Sequence, residues 1–574
     1  MRDLLRTATH IYESFSASGR ALFLFFAGAC IISSLALIYL LNAAFLISVP
    51  AYGGTLSEGI IGSPRFINPV LALSDSDRDL TSLVYSGLLK ATPGGDYVPD
   101  LAESYTISPD GKTYTFVLRP DVTFHNGTKV TADDVVFTIQ KTQDPALQSP
   151  MRANWDGVTV TEIDARTVQF TLKSPYAPFI DNLTIGILPK SLWQNVSDDE
   201  FSFSGLNTSP VGSGPFRVGS ISRNSSGIPS SYDLKAFNNY ALGMPYLSDL
   251  MLYFYPSEEE VVAALKSGDI DAASGLSPSN LPSLSGLTIK SAPLNRVFGV
   301  FFNQNQSVVL RDHAVRQALE DAIDRQALIK DVLGGYGTPL DGPVPPSISG
   351  VANSVASSTN ADPALAARAE LIKAGWVVGA DGILAKTTGK GKSAQTIKLE
   401  FSLATDNVPE LRNAAQYVQT EWQKMGAKVD VQIYDQGDLS QNVIRPRKYD
   451  ALLFGEVIGR ELDLFAFWDS SQRNDPGLNI ALYANPVADK ILEQLRTTKD
   501  DAEKAALYSQ FETQLQADIP AVFLYAPDFV YSVPNNLEGL DLGFIESPSD
   551  RFLSVTQWHL ETESVWPVFV KTQI

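Results

Sequence analysis

The chain has 574 residues, 44% hydrophobic and 10% aromatic, a globular composition long enough for several domains or one multi-lobed body. Its formal net charge of -20 argues against nucleic-acid binding, because gripping a phosphate backbone needs a surplus of Lys and Arg. The single cysteine, Cys30, excludes an intramolecular disulfide and any cysteine-rich metal site.

Residues 21–41 (ALFLFFAGACIISSLALIYLL) are a charge-free apolar run of 21 residues; at about 1.5 Å per residue they span roughly 30 Å, the thickness of a bilayer core. Arg2, Arg6 and Arg20 precede the run, and Arg65 is the next basic residue after it. The positive-inside rule therefore predicts a cytoplasmic N-terminus (1–20), a transmembrane anchor (21–41) and a tether (42–52) to an extracytoplasmic body. A cleaved signal peptide has a shorter apolar core and a small-residue cleavage site, whereas here apolar character runs on to Val49. Ala27-Gly28-Ala29 is an imperfect lead-in for cleavage and acylation at Cys30, and hydrophobic residues follow it.

From Gly53 onward, short β-type runs alternate with helical patterns and no repeat of fixed period occurs. Residues 113–119 (TYTFVLR) read as a strand and 158–172 (VTVTEIDARTVQFTL) as a hairpin. Between them, 121–142 (DVTFHNGTKVTADDVVFTIQKT) holds His125 and the carboxylate pair Asp133 and Asp134. Asn-Gly marks a tight turn, Thr131 is placed to cap a helix, and Asp134 three residues on completes a capping box, so the carboxylates have a structural use. Helical patterns follow at 257–268, 311–335, 408–426 and 500–518. The order strand, helix, strand over 396–434 predicts a βαβ-like unit and an α/β second half. Polar stretches at 219–231, 339–363 and 386–395 read as loops.

Catalytic and phosphate-binding motifs fail on spacing. "DGKT" at 110–113 and "GKS" at 391–393 lack the earlier P-loop glycine, whose places are taken by Thr106 and Lys386. No G-x-S-x-G elbow or H-E-x-x-H pair is present. With His10 on the cytoplasmic side, His125, His313 and His559 are scattered, which leaves few options for a histidine-based metal site. A carboxylate-based hydrolase stays open, since 64 acidic residues always supply pairs.

Several motifs, in order, carry a resemblance: 67–89 (INPVLALSDSDRDLTSLVYSGLL), the run from PDLAESY through FHNGTKVTADDVVFT, 210–218 (PVGSGPFRV), 301–329 (FFNQNQSVVLRDHAVRQALEDAIDRQALI) and 483–495 (YANPVADKILEQL). Together the chain resembles the extracytoplasmic solute-binding proteins of ABC importers, in the peptide/nickel-type family (solute-binding protein family 5). The resemblance implies an α/β fold, a two-lobed periplasmic-binding-protein clamp of type II with an extra inserted domain. It places the first lobe at 53–82, 206–303 and 527–574, the inserted domain at 83–205 and the second lobe at 304–526. It also implies no enzymatic role, no cofactor, a monomer, lobe closure on a solute, most readily a peptide, and delivery to a permease with ATPase subunits.

The family's ligand contacts carry over to Leu73, Ser74, Asp75 and Ser76, to Arg296, Phe298 and Asn303, and to Glu456, Val457, Ile458, Gly459 and Arg460. Trp155 and Trp468 are further candidates, since an indole lines a cleft as readily as it fills a core. In one respect the chain departs from the pattern. Peptide-binding members hold the ligand's amine with an Asp where this chain has Gly459-Arg460, and Glu456, Glu461 and Asp463 stand nearby in sequence. A sugar or metal chelate as the solute therefore stays open, as do an anchored surface hydrolase and a sensor without a permease.

Overall fold

The computed structural model describes residues 10–345, 362–389, 394–498 and 500–569. The segments expected at 1–20, 339–363 and 386–395 lie partly outside these. The chain divides into two compact units: residues up to Gly53 with those from His559, and Gly54–Trp558.

In the first unit, helix Ala17–Phe45 carries the apolar run, with Ser16 as its N-cap. Its stretch Ala17–Asn42 is long and apolar enough to cross a membrane, and none of it is buried. The expected tether is structured: the helix continues to Phe45, and strand Ile47–Pro50 pairs antiparallel with Thr562–Val565. The segment beginning at His559, expected in the first lobe, groups instead with the N-terminal unit because of this pairing.

In the second unit, residues expected as the inserted domain build a four-stranded antiparallel sheet in the order Ala102–Ile107, Thr113–Leu118, Thr167–Thr171, Thr159–Asp164. The last two strands are the hairpin read at 158–172. Tyr114, Phe116 and Leu118 alternate inward, as a half-buried strand requires, and helix Ala132–Gln143 adds Val135 and Ile139 to the same core. That core runs from Leu88 to Ile187 in one continuous piece of chain.

The remaining strands form a larger sheet. In one part, Thr55–Ile61 lies between Asp249–Tyr255 and Ala272–Ser274, parallel to both, and Pro229–Ala236 and Phe216–Arg223 extend it. In the other, Glu400–Asp406, helix Pro409–Met425 and Lys428–Tyr434 form the expected βαβ unit with parallel strands. The strand read from residue 396 breaks at Leu399: Gln395–Lys398 pairs with Leu384–Thr388 in a separate sheet. Strand Ala521–Pro534 spans both parts, pairing with Arg296–Phe302 at its start and Leu287–Pro293 at its end. Arg296–Phe302 also pairs along its full length with Ala451–Val457. Arg296–Phe302, expected in the first lobe, thus pairs with strand residues from the segment expected as the second.

The motif at 121–142 has a structural role. Thr131 N and Oγ1 donate to Asp134 Oδ2 at 2.9 and 2.8 Å, Asp134 Oδ1 accepts from Lys190 N at 2.8 Å, and Asp133 pairs with Lys190 Nζ. His125 Nδ1 accepts from Gly212 N at 3.4 Å and its Nε2 donates to Gly214 O at 3.0 Å. Burial pushes the imidazole down to about 4, so it is neutral and suited to this donor–acceptor pattern. Gly212 and Gly214 press on the end of helix Asp75–Val84: a Cβ on Gly212 would lie 2.1 Å from Val84 O, and one on Gly214 2.6 Å from Val84 C. Only glycine fits the two positions of "GSG".

Candidate ligand cleft

A cavity of about 620 Å³ opens where helix Asp75–Val84, the inserted domain, the loop after Ala451–Val457 and residues 546–553 meet. A second, of about 530 Å³, shares Asn154, Asp181, Asn182 and Glu546 with it, so the two are lobes of one cleft. Both charge signs line the larger cavity: Arg78, Lys90, Arg296 and Arg460 against Asp100, Asp181, Glu546 and Asp550. The smaller is acidic, with Asp156, Asp181, Glu461, Asp463 and Glu546 against Lys173 and Arg496.

At the junction, Arg460 Nη2 meets Asp550 Oδ2 at 3.0 Å, with the two side chains 4% and 17% exposed. The guanidinium also lies over the Phe544 ring at 4.6 Å, and its Nη1 has no hydrogen-bond partner among the described residues. Asp550 accepts from the backbone N–H groups of Glu546 and Ser547, the second being the start of a capping box ahead of the 3₁₀ helix Pro548–Gln557. Asp181 accepts from Tyr97 Oη at 3.0 Å. Burial raises Asp181 and Asp550, and Arg460 works against it in both. Glu546 is pushed up to about 8 by burial, then by the charges of Asp181 and Asp550, with Arg460 opposing. Three carboxyl groups thus crowd one cation, and the crowding lets the site hold protons near neutral pH.

At the far end of the larger cavity, Tyr240 Oη donates to Asp100 Oδ2 at 3.2 Å and sits 3.5 Å from Lys90 Nζ. Burial raises Asp100 to about 6 and lowers Lys90, each opposed by the other's charge. In the smaller cavity, Tyr176 Oη donates to Asp463 Oδ2 at 3.3 Å and Arg496 pairs with the same oxygen at 3.4 Å.

Of the expected contacts, Arg296, Val457 and Arg460 line the larger cavity and Gly459 the smaller. The others stand elsewhere. Leu73 is an exposed surface residue, Ser74 caps helix Asp75–Val84 by accepting from Asp77 N, Ser76 bonds Ser74, and Asp75 pairs with Arg78 at the surface. Phe298 stacks on Tyr525 at 5.2 Å, in space that Gly455 leaves free. Asn303 is buried and ties the backbone of Asn305, Gln306 and Arg447. Ile458 and Trp468 are fully buried in a core shared with Phe511 and Phe523, and Trp155 in the Leu88–Ile187 core. Glu456 is buried beside Trp468, with neither oxygen in hydrogen-bonding geometry to any described residue; burial holds its carboxyl well above the usual range, the indole opposing.

A family model for bacterial extracellular solute-binding proteins, family 5 (middle part), matches residues 96–475. The chain belongs to this family. The family 5 protein is similar to the oligopeptide-binding protein AppA of Bacillus subtilis, with 28% identity over 527 residues, 89% of this chain and 92% of that one. It is 25% identical to the dipeptide-binding protein of Escherichia coli over 81% of this chain and 87% of that one. Among solved structures, AppA from Bacillus subtilis in complex with a nonapeptide aligns with a TM-score of 0.68 and 27% identity, covering 89% of this chain and 100% of that chain. NikZ from Campylobacter jejuni in complex with Ni(L-His) gives 0.68 and 27%, covering 88% and 99%. The expected clamp fold is that of these neighbours, and membership makes this a solute-binding protein of the ABC importer type, not an enzyme.

Asp181, Glu546, Asp550, Lys90 and Asp100 were not singled out by sequence. Asp550 carried a signal, as the fourth residue of the capping box "SPSD" at 547–550. Asp181 and Glu546 carried none, because the fold alone brings together positions 365 residues apart (546 - 181).

Proposed function

We propose that this family 5 protein captures a peptide between its lobes and, held at the membrane by its N-terminal helix, delivers it to the permease of an ABC importer. The observation that carries the reading is the group at Arg460: a cation and three carboxyl groups drawn from three distant segments of the chain, two of which, Asp181 and Glu546, line both cavities. A free peptide presents an ammonium and a carboxylate, and a cleft carrying both signs neutralises both. Asp181 and Glu546 flank Arg460, where peptide-binding relatives are expected to hold an Asp, and they take over the amine-binding role. Glu456 is turned into the core and Asp463 is engaged by Tyr176 and Arg496, so neither serves. Arg296, whose Nε has no hydrogen-bond partner among the described residues and which lines the larger cavity, takes the ligand carboxylate in this reading.

Closure is favoured by the ligand's higher affinity for the closed form, because its charges are neutralised only when the lobes meet. The membrane helix raises the protein's effective concentration at the permease. Titration calorimetry of the full chain in detergent with a peptide and its N-acetylated twin tests the reading. A loss of about tenfold or more on acetylation, about 1.4 kcal/mol, supports an amine site, and Asp181→Asn and Glu546→Gln should each remove that difference. Equal affinity for the two peptides, or no binding of either across a peptide panel, overturns it.

A further inference from the structure

The C-terminal segment is built onto the outer end of the apolar helix. Strand Thr562–Val565 pairs with Ile47–Pro50, Val565 lying opposite Ile47. The chain then turns so that Trp566 stacks on Phe45, ring centroids 5.8 Å apart and planes 14° from parallel. Trp566 Nε1 donates to Asn42 Oδ1 at 2.8 Å. Asn42 is the first polar residue beyond the run at 21–41, and Phe45 stands four residues past its end, about 6 Å farther along the helix axis at 1.5 Å per residue. That level is the headgroup zone of a bilayer whose hydrocarbon core is filled by the run.

The chemistry of the segment grades in the same direction. Next to the helix the paired residues are apolar, Ile47 and Val565; two positions farther they are Val49 and Glu563, on the same face of the two-stranded ribbon. Beyond Trp566, Val568 is 80% exposed, while Phe45 and Trp566 are themselves 54% and 39% exposed. An apolar cluster with an indole at one edge, continuous with a membrane-crossing helix and turning polar away from it, has the composition of an interfacial aromatic belt.

We infer that Trp566 and Val568 insert into the headgroup region of the bilayer beside Phe45, so that the C-terminal segment is a second membrane contact in addition to the N-terminal helix. The inference rests on the membrane-anchored reading. The occupant is lipid because the cluster continues the lipid-facing surface of the helix.

The full chain in lipid nanodiscs tests this with one fluorophore per molecule. The label is placed on native Cys30, on Val568→Cys in a Cys30→Ser background, or on Ser225→Cys in the same background. Lipids carry a nitroxide quencher either at the headgroup or deep in the acyl chain. The expected result is quenching of position 568 chiefly by the headgroup nitroxide, of position 30 chiefly by the deep one, and of position 225 by neither. If position 568 is as insensitive as position 225 while position 30 responds to the deep nitroxide, the C-terminal contact is overturned and anchoring stands. If position 30 responds to neither quencher, anchoring fails and the inference falls with it.

Discussion

Arg551 faces Asp79 as a bidentate pair, Nη1 to Oδ1 at 2.8 Å and Nη2 to Oδ2 at 2.7 Å, with side chains 0% and 3% exposed. Glu58 joins through Arg551 Nε at 2.9 Å and accepts from Tyr531 Oη at 2.8 Å, while Phe552 stacks beneath the guanidinium at 4.0 Å. Burial raises both carboxyls and Arg551 opposes it, so the cation is what makes their ionised forms tolerable in the core. Arg551→Met, which strands both buried carboxyls, should therefore cost about 3–5 kcal/mol, more than replacing the whole triad by apolar residues of similar volume. Urea unfolding midpoints of the two variants decide this.

The neighbouring residue on the same 3₁₀ helix, Asp550, reaches Arg460 in the loop after strand Ala451–Val457. Arg460→Ala removes the cation that ties its loop to Asp550 and drives the raised carboxyls of Asp550, Glu546 and Asp181 further toward their neutral forms, so nothing ionic draws the two sides together. Solution scattering of the unliganded chain should then show a larger radius of gyration. A double-mutant cycle with Asp550→Ala should return a coupling of about 1.5 kcal/mol or more.

The proton held at Glu546 gives stability a sign with pH. Its folded-state value of about 8 lies above its ordinary 4.5, so the folded form binds the proton more tightly. The contribution is complete below pH 4.5 and is lost as pH rises through 8. Asp100 and Glu512, raised to about 6 and about 7, act in the same direction. His125 acts oppositely: lowered from 6.5 to about 4, it removes stability as pH falls through that range. Glu546→Gln should gain on the parent protein steadily between pH 5 and pH 8.5 in urea midpoints, and a gap that does not change with pH would count against this assignment.

Gly214→Ala tests the "GSG" contact. The added methyl would meet Val84 C at 2.6 Å, Leu83 O at 2.7 Å and Tyr85 N at 2.8 Å, all backbone atoms that cannot rotate away. A loss of about 1–3 kcal/mol or more follows. Gly205→Ala, with nothing within 4 Å, should lose far less in the same thermal melt.

The parts of the fold written in local chemistry were readable. The capping box at Thr131–Asp134, the hairpin at 158–172, the βαβ unit and the apolar helix each depend on residues close in sequence. Long-range pairing was not legible: nothing local shows that Arg296–Phe302 chooses Ala451–Val457, or that Thr562–Val565 returns to Ile47–Pro50. The cleft follows the same division. The motifs pointed to Arg296, Val457, Gly459 and Arg460, which line the cavities, but Ser74 and Asn303 have polar side chains equally suited to a cap or a ligand, and only their bonds to nearby backbone N–H groups show the structural use. The carboxyl groups that surround Arg460 come from distant segments, so their convergence is a property of the fold alone.

The bond from Arg551 to Asp79 joins positions 472 residues apart, and the one to Glu58 positions 493 apart. At about 5–20 residues per second, synthesis of that intervening chain takes on the order of half a minute to a minute and a half. Closing a loop of that length costs roughly 5 kcal/mol in chain entropy, recovered only when the last elements arrive. The Leu88–Ile187 core is contiguous and can form while the ribosome is still working. The sheet around Thr55–Ile61 and helix Asp75–Val84 have to wait, Glu58 and Asp79 still in water, until residue 551 has been made. A nascent chain stalled before that point would carry a folded Leu88–Ile187 core beside a sheet whose buried charges still lack their cation.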